Sequence, residues 1–139
     1  MSETARRLVL LLLLVGMAAV GAELLLLSHH EDWTQAIPLA LLAGGAATLS
    51  AAVIRPSAGT IRAWRAVACL FLAVGLAGVS LHLQASMEFQ REMHPSLSTT
   101  ALARRAVRAK APPALAPGAL AQLGLLGLLY TFRHPSLKP

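Results

Sequence analysis

Four apolar stretches, 8–28, 36–54, 64–83 and 114–132, are separated by polar connections along the chain. Each is close to the ~20 residues that an α-helix needs to cross the ~30 Å hydrocarbon core of a bilayer. Apolar and polar residues do not alternate with a period of two, and Leu and Ala dominate, so strands are not expected. A segment in lipid must satisfy its backbone polar groups internally, which leaves the helix as the spanning structure. The pattern therefore predicts an all-α membrane protein. It would be one integral membrane domain over 1–139, a four-helix transmembrane bundle with a short interfacial amphipathic segment between helices 3 and 4.

Arg6 and Arg7, the apolar run and the small residues Val20-Gly21-Ala22 also have the layout of a cleavable signal peptide. The apolar run resumes at Leu24, completing a full span, so an uncleaved first helix is the expectation. Asp32 or Thr34 can cap the second helix, with Pro38 in its first turn. That helix carries Ala36, Ala40, Gly44, Thr48 and Ala52 at four-residue spacing, beside a second row of Ala43, Ala47 and Ala51. Small residues on one helix face let a neighbouring backbone approach closely. This face is expected to be central to the bundle or to meet another subunit. Gly75 and Gly78 mark a similar close-packing region on the third helix, which can run on to Met93 before His94-Pro95 stops it. Ser98 offers a cap for a short helix whose Arg104, Arg105 and Arg108 share one side, as expected of a segment lying on lipid head groups. In the fourth helix Gln122 is expected to hydrogen-bond to a neighbour.

Composition strengthens the membrane reading. The chain is 56% hydrophobic and 13% charged, with mean hydropathy +0.64, where a soluble domain carries about 25% charged residues. The formal charge of +6 does not argue for nucleic acid, because the basic residues lie between the spans, where orientation and lipid head groups account for them. With the N-terminus inside, Arg6, Arg7, Arg55, Arg62, Arg65, Arg133 and Lys138 are cytoplasmic, seven against the five of Arg91, Arg104, Arg105, Arg108 and Lys110. The expected setting is a bacterial inner membrane with both termini cytoplasmic. The lone Cys69, in no paired motif, is expected to be a small apolar packing residue.

Candidate chemistry gathers on the outer side. Glu23 lies roughly 7 Å below the end of the first helix at 1.5 Å per residue, and His82 is at a comparable depth on the third. An ionisable group within a span is costly and needs a partner; His82, Gln122 and Ser80 are within the spans. His30, seven residues from Glu23, shares its helix face if the helix continues. With Glu88 and Glu92 these residues form a polar cluster that admits three readings. It can be a structural tie between helices. It can be a metal or cofactor site, with Glu23, His30 and His82 as candidate ligands, although no HExxH or ExxH pair is present and nothing in the spacing demands a haem. It can also be a proton path in a small transporter working as an oligomer. No nucleophile–base pair or phosphate loop occurs, so an enzyme is not expected. The expected role is that of a non-enzymatic subunit, accessory or scaffold protein of a membrane complex, whose partners are the lipid bilayer and another polypeptide or a second copy.

Overall fold

Hydroxyl side chains set the helix starts. Ser2 Oγ accepts the Ala5 N–H at 3.2 Å and Ser98 Oγ accepts that of Ala101 at 3.4 Å. Ser57 and Thr60 form a reciprocal capping box, each side chain accepting the other's backbone N–H. The computed structural model describes residues 1–27, 33–108 and 115–137. These form α1 (Glu3–Leu26), α2 (Trp33–Ile54), α3 (Ala58–Met93), α4 (Thr99–Val107), α5 (Leu115–Thr131) and a 3-10 turn (Pro135–Leu137). No strand occurs among the described residues. α1, α2 and α3 are each long and apolar enough to cross a membrane, whereas α5 is apolar but only 17 residues long.

α3 departs most from the expected 20-residue span. Its 36 residues rise about 54 Å at 1.5 Å per residue, well beyond ~30 Å of hydrocarbon. The capping box starts it directly after Pro56, and no breaker follows until Pro95. α4 then packs on α3, burying Leu102 and Ala106. The face of α4 that carries Leu102 and Ala106 is therefore covered by the chain's own third helix. α2 starts at Trp33, not at 36, so Pro38 lies inside the helix rather than in its first turn.

Buried residues on α1 fall at Val9, Leu13, Met17, Val20 and Leu24, and on α3 at Ile61, Trp64, Ala68, Phe71 and Gly75. Spacings of three and four put each set on one stripe and suit nearly aligned helices. α5 packs on α3 and on α1, and α2 packs on α3 and on α1, so the contacts close a cycle around one core. α3 and α5 approach most closely. A Cβ on Gly75 would stand 2.4 Å from the Ala121 backbone nitrogen, and one on Gly124 would stand 2.5 Å from that of Leu72. Gly78 faces Pro117 in the same seam, and Gly127 admits the fully buried Trp64 ring. Trp64 meets Phe71 edge to face, with ring centroids 6.0 Å apart, and Phe71 in turn fills the space over Gly45 of α2.

On α2 the packed stripe is Leu42, Gly45, Leu49 and Ala52. Of the four-residue row, Ala52 belongs to it, Ala36 and Thr48 are half-buried, and Ala40 and Gly44 are exposed. Cys69 is exposed on α3, one position beyond buried Ala68, and so is not the packing residue expected from the sequence.

Two glycine substitutions separate these environments. Gly124→Ala is expected to destabilise the fold by about 1–3 kcal/mol, because backbone cannot give way as a side-chain tip can. Gly44→Ala, with nothing within 4 Å of the added carbon, is expected to be neutral or to stabilise by up to about 1 kcal/mol. Unfolding of the detergent-solubilised protein followed by circular dichroism checks both; equal effects would contradict the packing described.

Candidate functional site

Hydrogen bonds from two other helices converge on the C-terminal end of α5. A helix ends with four backbone carbonyls lacking intrahelical partners and with a partial negative charge. Two distant arginines meet these groups. Arg6, in the first turns of α1, donates to the carbonyls of Tyr130 and Arg133. Arg65 of α3 donates from Nε to Thr131 Oγ1 at 3.2 Å and from its terminal nitrogen to the Thr131 carbonyl at 3.1 Å. The Arg6 guanidinium also lies 5.9 Å from the centre of the Tyr130 ring. Arg133 adopts φ 48°, the left-handed conformation that commonly ends a helix, here without the glycine that favours it.

That reversal turns His134 back into the protein, where it is buried. Its Nδ1 accepts the Ser136 N–H at 3.2 Å, which requires an unprotonated nitrogen there. Ser136 Oγ donates to the Pro56 carbonyl at 3.3 Å, tying the chain's end to the α2–α3 connection. A cavity of about 410 Å³ opens beside this knot, walled by Glu3, Arg6, Pro56, Tyr130 and His134 among others. Burial, and then the Arg6 charge, lower the His134 pKa below its ordinary value. No spacing rule couples Arg6 to a residue 124 positions away; the one sequence signal is a basic pair ahead of the first apolar run.

Of the polar cluster residues singled out from the sequence, those that the structure describes lie on α1, α3 and α5. Glu23 is exposed on α1, and His82 is exposed on α3. Neither has a hydrogen bond or an ion pair among the described residues, where Arg7–Glu3 is the one ion pair. His30 lies outside the described residues, as do His29, Glu31, Asp32 and Lys110. Glu88 and Glu92 are exposed on the part of α3 beyond the apolar run, and Gln122 is exposed on α5. Ser80 Oγ donates to the Leu76 carbonyl of its own helix at 3.0 Å. Among the described residues no three His, Cys, Asp or Glu side chains come together as metal ligands.

Two outcomes follow. For a group whose folded pKa is depressed, the unfolded chain binds the proton first, so stability is present above the unfolded value of 6.5 and falls as pH drops toward the folded one. The unfolding midpoint is expected to fall between about pH 7 and about pH 5, and His134→Gln should flatten that fall; an unchanged slope in the variant would remove His134 from it. Glu23→Gln is expected to leave the stability of the isolated chain within about 0.5 kcal/mol, measured by the same unfolding assay; a larger loss would reveal a tie within the chain. Comparison with family models, with curated proteins and with solved structures found no match to this chain.

Proposed function

We propose that the chain is a four-span integral membrane protein with both termini cytoplasmic. In this reading it acts as a non-enzymatic subunit or accessory protein of a membrane complex, joined to another transmembrane helix through the small-residue face of α2. The observation that carries the reading is the open space at Gly44. A side chain there would meet nothing within 4 Å, and Ala40, Ala43, Ala47 and Ala51 are exposed around it. Between helices in lipid the driving force is van der Waals packing, which a face of small residues makes available to a second backbone. The Thr48 hydroxyl is already bonded to the Gly44 and Gly45 carbonyls, so it makes no demand on a partner.

Three further features support the setting. α5, at 17 residues, rises about 26 Å, enough to cross a slightly thinned core. The Arg6–Arg133 and Ser136–Pro56 bonds bring the first helix, the α2–α3 connection and the chain's end to one end of the molecule, as an even number of crossings requires. Glu23 has no partner within the described chain, and a carboxylate within a span ordinarily finds one; a second subunit is the source this reading supplies.

Site-directed crosslinking tests it. In a Cys69→Ser background, Gly44→Cys or Ala47→Cys labelled with the photoactivatable crosslinker benzophenone-4-maleimide and irradiated in native membranes is expected to give a discrete heavier species, whereas Leu14→Cys, exposed on the side of α1 opposite Glu23, gives none. A product of twice the 14.6 kDa chain mass identifies a second copy, and any other mass identifies a different subunit. Uncrosslinked monomer at every position would overturn the proposal.

A further inference from the structure

The α3–α4 corner holds an arrangement that α2 docking does not use. α3 and α4 are joined by the short connection 94–98, which turns α4 back along α3. Leu102 and Ala106 face α3, and this orientation carries Ala101, Arg104, Arg105 and Arg108 together onto one flank. That flank forms one wall of an open groove of about 910 Å³, completed by Gln90, His94, Ser96 and Leu97. The volume is within the ~300–1,000 Å³ of small-ligand clefts.

Among the described residues the charge in this groove is of one sign, and no carboxylate lines it. Gln90 and His94, four residues apart, share a face of α3, while Glu88 and Glu92 are two residues away from each in turn, about 200° round the helix. None of the three guanidiniums has an ion-pair or hydrogen-bond partner among the described residues, so their donors are open to a ligand. Guanidinium forks match the oxygens of phosphate, and Gln90 and Ser96 add neutral donors beside them.

Depth narrows the source of the phosphate. Gln90 is seven residues beyond Leu83, the last residue of the apolar run, or about 10 Å along α3. The head-group layer on each side of a bilayer is roughly 5–8 Å thick, so the groove borders it, and α4 runs back toward it. We propose that this groove binds a phosphate oxyanion, that of an anionic phospholipid head group, held by Arg104, Arg105 and Arg108 against Gln90 and Ser96. The assignment rests on the membrane setting proposed above and is independent of the α2 face.

The test uses the full chain purified in a zwitterionic detergent, with native mass spectrometry counting retained lipid. Wild type is expected to keep phosphatidylglycerol in preference to phosphatidylcholine. The triple variant Arg104→Gln, Arg105→Gln, Arg108→Gln should bind it roughly a hundredfold more weakly. A charge-matched control, Arg7→Gln, Arg55→Gln, Arg62→Gln, should bind as wild type does, and circular dichroism shows whether each variant keeps its helices. Titration with inorganic phosphate separates the two sources: phosphate binding that depends on the groove arginines, without lipid preference, overturns the head-group assignment in favour of a free anion. Lipid retention that falls equally in both triple variants, or in neither, overturns the groove itself, while detergent-dependent extraction from membranes would still stand for the membrane setting.

Discussion

The close approach of α3 and α5 is the constraint on which the rest of the structure depends. Gly75 and Gly124 leave so little room that backbone of one helix meets backbone of the other. Such contact gains dispersion energy over a whole seam without side-chain entropy to lose. It also fixes the register of α5, because Ala121 must face Gly75 while Gly124 faces Ala68 and Leu72. Once that register is set, Gly127 lies under the Trp64 ring, and Trp64 directs Phe71 toward Gly45 of α2. The second helix is thus placed by an aromatic pair standing on the α3–α5 seam.

The same register delivers the end of α5 to Arg6 and Arg65. Exposed backbone carbonyls at a helix end are costly away from water, and a guanidinium offers several donors in a fixed fork. Drawing one arginine from α1 and one from α3 ties three helices together at a single terminus. The left-handed Arg133 and the buried neutral His134 complete this closure. The hydrogen bonds at this end hold the fold together. The guanidiniums of Arg104, Arg105 and Arg108 have no hydrogen-bond or ion-pair partner among the described residues, and nothing lies within 4 Å of a Cβ on Gly44 of α2.

How far the site could be read in advance depends on the range of the interactions. Apolar run lengths located three long helices and a fourth apolar one, since the hydrophobic pattern is a local property of the chain. The serine caps and the stop at His94-Pro95 are equally local. Glu23 and His82 could be named as costly groups from sequence, but their exposed positions follow from how the helices rotate about their axes. A four-residue row on α2 shows that a small-residue face exists; it does not show whether a neighbour from the same chain uses it.

The sequence by itself determined the helical class, the apolar segments and the basic flank of α4, because each follows from residue type and a periodicity of 3.6. Only the tertiary structure decided that Gly45 rather than Gly44 meets a neighbour, that α4 covers its apolar face with α3, and that Arg6 reaches the end of α5. A rotation of one residue, about 100° on a helix, is enough to turn a packed position into an open one. That rotation is set by the shapes of facing helices, which no stretch of the chain carries alone.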